Sequence, residues 1–318
     1  MNQKTSMKTY NTLFFGTPDF AVPVLDTLIK LPYINLKAVI TQPDKPIGKK
    51  QIITQPPIKT FALKNNLIVL QPTTIKSSKF IKSIIKLKPD VVIIIAYGKI
   101  ITKNLLEIPK HGWLNIHGSL LPKYRGASPI QAVILSGEEK TGVTLMKIDE
   151  GLDTGPLIAN ENITINHTDN FEILHDKLAK LGAIIIEKNL KKYLENKIFA
   201  IPQEKTTTEI TKTISKEAGK INWENPADLI EKQIRAYTPW PGTYTFWNNK
   251  RLKIIDGEII VLPNNIQSGS VFPHENKIYV GTGNNAIKLN TLQLAGKKPT
   301  DIQSFIKGYP DFVNAKLN

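Results

Sequence analysis

The run Gly112-Trp113-Leu114-Asn115-Ile116-His117-Gly118 sets an amide and an imidazole two residues apart. Read as a β-strand, it projects Asn115 and His117 from one face and turns Leu114 and Ile116 to the other. A strand covered on both faces does not carry two polar side chains near its end without a reason, and the carboxyl ends of α/β strands are where ligands bind. A second run, Asp149-Glu150-Gly151-Leu152-Asp153-Thr154-Gly155-Pro156, is acidic and punctuated by glycine, and it follows the strand candidate 142–148. From the same end of a sheet, Asp153 can accept a hydrogen bond from His117 and fix its tautomer. Amide, imidazole and carboxylate together suit acyl transfer. Asn115 and His117 would stabilise a developing oxyanion, and His117 with Asp153 would handle the proton of an attacking amine.

On spacing alone other readings stay open. An Asn-x-His pair can be structural, and acidic turn residues often cap or meet solvent. A metal site from His111, His117 and Asp153 lacks a zinc-ligand spacing and a fourth ligand. A hydrolase triad of Ser119, His117 and Asp153 lacks the G-x-S-x-G elbow. The first strand-to-helix turn, Phe15-Gly16-Thr17-Pro18-Asp19-Phe20, has one glycine and a proline where a dinucleotide fold carries G-x-G-x-x-G, so a dehydrogenase reading loses its main support. Cysteine is absent, which removes disulfides, thiolate metal sites and cysteine nucleophiles.

The elements that must position these residues are legible as patterns. Short β-branched runs at 12–15, 36–41, 68–70, 90–96, 113–116 and 142–148 alternate with amphipathic stretches at 22–31, 58–64 and 78–87. That alternation predicts an α/β domain, a Rossmann-like, mostly parallel sheet with helices on both faces. A further helix is expected over 171–192, with Asp169 as its N-cap. Composition shifts near residue 200, and the polar stretch 202–213 reads as a linker. Beyond it come a helix over 226–236 and short strands at 243–247, 252–255, 258–262, 269–272, 278–282 and 286–292. Turn signals at Asn248-Asn249, Asp256-Gly257 and Gly283-Asn284 break them, which predicts an OB-like β-barrel. The expected domains are therefore 1–201, a linker 202–213, and 214–318.

At 318 residues, 41% hydrophobic and 22% charged, the chain has the composition of an ordinary globular protein. Its most apolar run, at 91–96, falls far short of a membrane span, and no secretory pattern opens the sequence, so a cytoplasmic protein is expected. Met1 and Met7 are both candidate starts. The net charge of +15 invites a polyanionic partner, although a chain this rich in Lys, Ile and Asn also reflects what an AT-rich genome supplies.

The motifs NIHGSLLPKYRGASPIQ and TGVTLMKIDEGLDTGP together resemble the folate-dependent formyltransferases. FFGTPDFA, VITQPDKPIGKK, AYGKII, YTPWPGT and LQLAGKKP extend the likeness, in family order, from residue 14 to 298, and draw it toward the members that act on methionyl-tRNA. The resemblance implies transfer of the formyl group of 10-formyltetrahydrofolate to the α-amine of initiator methionyl-tRNA. Asn115 and His117 would then polarise the formyl oxygen, and Asp153 would support His117 and assist proton removal. Ser119, Leu120, Leu121 and Pro122 match the family's folate-contacting loop, with Tyr97 and Gly98 nearby. No metal is implied, and a monomer is expected.

For the RNA, the resemblance points to Lys45, Lys49 and Lys50 in the loop after the second strand. Lys220, Arg235, Lys297 and Lys298 are candidates for phosphate contacts in the second domain. The loop departs from the family's G-R-G-K-K: it reads Gly48-Lys49-Lys50, two residues shorter, and it lacks the arginine with its planar fork. Two alternatives remain: a sugar-nucleotide N-formyltransferase, and a catalytically silent RNA-binding protein on the same fold.

Overall fold

A computed structural model describes residues 8–48, 50–204, 210–262 and 266–318. Lys49 and the two candidate starts, Met1 and Met7, lie outside the described residues. In chain order the elements begin β1 (Tyr10–Gly16), α1 (Val22–Lys30), β2 (Ile34–Ile40), β3 (Lys45–Ile47), β4 (Ile52–Thr54), α2 (Pro57–Lys64) and β5 (Val69–Leu70). Then follow α3 (Ser78–Lys86), β6 (Val91–Ile95), α4 (Lys103–Leu106), β7 (Trp113–His117), α5 (Pro129–Ser136), β8 (Lys140–Lys147), β9 (Leu157–Thr164) and α6 (Phe171–Leu194). The chain continues with α7 (Ala227–Tyr237), β10 (Thr243–Trp247), β11 (Lys250–Ile260), β12 (Val271–His274), β13 (Lys277–Gly281), β14 (Ala286–Leu294), β15 (Thr300–Asp301) and α8 (Ile302–Gly308).

The chain divides into two compact units. The first holds the described residues of Met1–Gly126, Lys140–Ile163 and His175–Ile210, and the second those of Ala127–Glu139, Thr164–Leu174 and Thr211–Asn318. The second unit thus draws α5 and the approach to α6 out of the N-terminal half.

In the first unit, seven strands form one sheet in the order β5-β2-β1-β6-β7-β8-β9. The five from β5 to β7 run parallel. The chain winds outward from β1 through β2 to β5, then crosses to β6 on the other side of β1. The switch point, where ligands settle in open α/β sheets, therefore lies at the carboxyl ends of β1 and β6. Leu13 and Phe15 of β1 face one core with Val92 and Ile94 of β6, Trp113 of β7, and Phe80 and Ile84 of α3. α3 forms because its apolar residues fall four apart, Ser77 caps its start by accepting from the Phe80 N–H, and Lys86 sits in its last turn. The other face carries Ile116, against which α6 packs closely enough that a methyl on Gly182 would lie 3.4 Å from it. Asn170 accepts from Ile173 N at the start of α6, while Asp169 Oδ2 takes the N–H of Asn166. The cap is Asn170, one residue beyond the expected Asp169.

β8 breaks the parallel pattern. It runs antiparallel to β7, with Leu114 opposite Lys147 and His117 opposite Thr144. The chain therefore leaves β8 beside the first residues of β7, and the acidic loop must fold back to reach His117. β9, whose alternate residues face solvent, completes the edge.

The second unit is an antiparallel sheet, β10-β11-β14-β13-β12 with β15 on β14, enclosing a core with Ile230 and Ile234 of α7 and Phe305 of α8. Asn248 and Asn249 both take positive φ, as a two-residue hairpin turn requires. Asp256-Gly257 is not a turn. It is a bulge inside the continuous strand β11, where a Cβ on Gly257 would lie 2.8 Å from Ile287 Cγ2.

Candidate active site

β7 sets the alternation that the site needs. Leu114 is fully buried, Ile116 is 3% exposed, and Asn115 and His117 occupy the opposite face. Asn115 is half-buried. Among the described residues no hydrogen bond to its amide occurs, so its donors are available to a ligand. His117 is buried, and its Nε2 stands 2.9 Å from the Tyr124 carbonyl. A carbonyl only accepts, so that contact puts the proton on Nε2 and leaves Nδ1 facing the other way. There Nδ1 meets Asp153 Oδ2 at 3.6 Å. Asp153 Oδ2 also accepts the N–H of Gly126 at 2.9 Å, and the residue holds a left-handed φ of 53°. The structure thus brings Asn115, His117 and Asp153 onto one side of β7.

The loop leaving His117 is braced from within. Thr144 of β8, fully buried, donates its hydroxyl to the Ser119 carbonyl at 2.7 Å and accepts from Leu121 N at 3.1 Å. Ser119 Oγ donates to the Lys123 carbonyl at 2.7 Å. The Ser119 hydroxyl is therefore engaged inside the loop, and the run Ser119-Leu120-Leu121-Pro122 offers a substrate its backbone and apolar surface.

At the switch point, the Tyr97 carbonyl accepts from Thr17 Oγ1 at 3.2 Å and Gln42 Nε2 at 2.9 Å. Its ring lies in the core, edge-on to Phe15 with centroids 5.1 Å apart, and burial pushes the phenol up to about 12. Among the described residues the hydroxyl has no hydrogen-bond partner. With that ring in the core, Tyr97 and Gly98, the latter at φ 80°, have their main chain at the switch point.

The basic residues divide by environment. Lys45 and Lys50 are exposed on the hairpin of β3 and β4, where Ile47 pairs with Ile52. Its base is anchored by Asp44, whose carboxylate accepts from Lys59 at 2.7 Å and from Gln71 at 2.7 Å. Those two bonds, Gln71 first, hold the Asp44 carboxyl below its ordinary range. In the second unit Lys220, Lys297 and Lys298 are exposed. Arg235 differs: its guanidinium forms a bidentate pair with Glu231 and donates to the Asp169 carbonyl. With its fork already occupied, it is poorly placed to bind phosphate.

Among the described residues no cluster of three or more His, Asp or Glu side chains could hold a metal ion. His111 lies in the turn before β7 and His117 is its last residue, so the strand itself, roughly 13 Å from Trp113 to His117 at strand rise, lies between them. Nor, among the described residues, is any helix long and apolar enough to cross a membrane.

A buried imidazole between a carbonyl and a carboxylate, beside an available amide on a mostly parallel sheet, is a constellation suited to acyl transfer on an α/β fold. The family described as Formyl transferase matches residues 10–190, and Formyl transferase, C-terminal domain, matches residues 213–310. A methionyl-tRNA formyltransferase of Caldicellulosiruptor saccharolyticus is 44% identical over 301 residues, spanning 93% of this chain and 96% of that one. Another, from Thermodesulfovibrio yellowstonii, is 45% identical over 298 residues, spanning 93% and 95%. The chain belongs to the formyl transferase family, in its methionyl-tRNA formyltransferase branch. Among solved structures, a sugar 3N-formyl transferase, WlaRD, in the presence of dTDP and 5-N-formyl-THF, superposes with a TM-score of 0.63 at 25% identity, covering 92% of this chain and 99% of that one. HypX from Aquifex aeolicus, in complex with tetrahydrofolic acid, shares the fold at a TM-score of 0.62 and 13% identity, covering 96% of this chain and 48% of that one.

Proposed function

We propose that this protein transfers the formyl group of 10-formyltetrahydrofolate to the α-amine of initiator methionyl-tRNA. The observation that carries the reading is the His117–Asp153 contact beside the available Asn115 amide, in a chain whose full-length likeness is to methionyl-tRNA formyltransferases. A half-buried amide without a partner among the described residues, next to a buried imidazole and a half-buried carboxylate, fits a small polar carbonyl such as a formyl group.

In this reading the amine attacks the formyl carbon, and its oxygen becomes an oxyanion. Asn115 donates to that oxygen, and His117, its ring oriented by the Tyr124 carbonyl, lies beside it. Asp153 takes the proton released by the attacking amine, directly or through a water. Collapse breaks the bond from the formyl carbon to N10 of the folate, and N10 leaves with the proton that Asp153 took from the amine. The braced loop 118–126 and the backbone of residues 96–98 line the folate side. Lys45, Lys49 and Lys50 serve the acceptor end of the RNA, while Lys220, Lys297 and Lys298 neutralise phosphates. The enzyme works in the cytoplasm, where charged tRNA is used.

Incubation with labelled 10-formyltetrahydrofolate and either methionyl-tRNA or an aminosugar nucleotide tests this. Label is expected on the methionyl-tRNA alone. Label only on the sugar would establish the sugar-nucleotide alternative, and tight RNA binding with no transfer would establish a silent binder.

A further inference from the structure

A glutamine from the segment read as a linker ties the two catalytic loops together. Gln203 Nε2 donates to the carbonyls of Asp153 and Gly155, each at 2.8 Å. Its Oε1 accepts from Arg125 Nε at 3.2 Å and Nη2 at 2.6 Å. Both donors and the acceptor of the amide are thereby engaged.

Its partners matter more than their number. Asp153 sits in the left-handed region, which a residue with a Cβ occupies only when its surroundings over-determine it. Gln203 grips the main chain of Asp153, and Gly126 N grips its carboxylate. Arg125 is the residue before Gly126 and follows Tyr124, whose carbonyl holds His117. One side chain thus links the loop that orients His117 to the loop that presents Asp153.

We propose that Gln203 is a positioning residue for formyl transfer, setting the Asp153 carboxylate against His117 without touching the reacting atoms. The proposal rests on the assignment of Asp153 as the proton acceptor. With Nδ1 and Oδ2 already 3.6 Å apart, the pair tolerates little displacement.

Steady-state rates of wild type, Gln203→Ala, Asp153→Asn and the double variant, with 10-formyltetrahydrofolate and methionyl-tRNA, provide the test. Gln203→Ala is expected to lower kcat about 10- to 100-fold while moving neither KM more than about threefold, as misplacement near the chemistry does. In the Asp153→Asn background the same change is expected to cost less than about twofold, because the group it positions is already gone. Full additivity, or a loss confined to KM or to thermal stability, overturns the proposal. The imidazole 15N shifts of His117, assigned by their loss in His117→Asn, read the same pairing without turnover. They are expected to move in Gln203→Ala, and unchanged shifts overturn the proposal. A wild type unable to formylate methionyl-tRNA would sink the functional reading instead, leaving the His117 shifts to judge Gln203.

Discussion

Asp153 Oδ2 lies 3.6 Å from His117 Nδ1 while the opposite ring nitrogen is held by the Tyr124 carbonyl. The ring cannot rotate to escape the carboxylate without giving up the hydrogen bond to Tyr124. Carboxylate and imidazole are therefore held as a unit, with the Asn115 amide on the same strand face.

Asp153→Asn tests that unit. The amide retains an oxygen to accept from Gly126 N but cannot take a proton. Turnover is expected to fall by about 100-fold or more, within the range for general-base removal. The thermal midpoint is expected to stay close to wild type. Near-normal turnover would refute the role of Asp153.

Thr144→Val removes one buried hydroxyl that serves two backbone groups, the Ser119 carbonyl and Leu121 N. Each is left without its bond, and stability is expected to drop by about 1–3 kcal/mol for the unsatisfied groups. The larger signature is a raised KM for 10-formyltetrahydrofolate, since the loop loses its brace. Thr144→Ser, which keeps the hydroxyl, is expected to restore most of both, and its failure to do so would contradict the bracing role.

Gly155 is set by space. A Cβ there would lie 1.9 Å from the Lys147 carbonyl oxygen, a backbone atom that cannot swing aside. Gly155→Ala must displace the loop carrying Asp153, at a cost of about 1–3 kcal/mol for overpacking and with loss of activity. Urea unfolding and initial rates check both. An active variant of wild-type stability would show that the loop can move freely.

Tyr97 predicts an alkaline effect. Burial pushes its phenol, and that of Tyr33, up to about 12. In the unfolded chain a tyrosine ionises near pH ~10. Between about pH 10 and 12 the unfolded state therefore sheds protons that the folded state keeps, and stability falls as pH rises through that window. Below it the two tyrosines add no slope. Urea midpoints from pH 9 to 11 are expected to fall less steeply in Tyr97→Phe. At pH 7 that variant is expected to be as stable as wild type or more so, because among the described residues the hydroxyl has no partner to lose. A large loss of turnover in Tyr97→Phe would mean that the hydroxyl itself meets the substrate.

Lys297→Ala with Lys298→Ala addresses the RNA. Both side chains are exposed beside the turn at Gly296. The double change is expected to leave kcat alone and weaken binding of methionyl-tRNA. It should also reduce the slope of log affinity against log salt by about 1 for each phosphate no longer neutralised. An unchanged slope would remove both lysines from the interface.

What the sequence determined by itself was local. Short β-branched runs located β1, β2, β6, β7 and β10, and helical spacing located α1, α3 and α6, because those patterns reflect how a single element is buried, and along any strand side chains alternate with a period of two. The same period put Asn115 and His117 on one face of β7. Only the tertiary structure decided the reversal of β8, the edge strand β9 with its polar half, and the reading of Asp256-Gly257 as a bulge. Strand direction, edge position and bulges depend on which distant strand supplies the partner groups, and no local window contains that partner. The tautomer of His117 belongs here too, since it is set by a carbonyl seven residues away in an irregular loop. Gln203 is the clearest case. Fifty residues beyond Asp153, in a polar stretch without periodicity, it carried no signal until the fold brought its amide between Arg125 and the Asp153 loop.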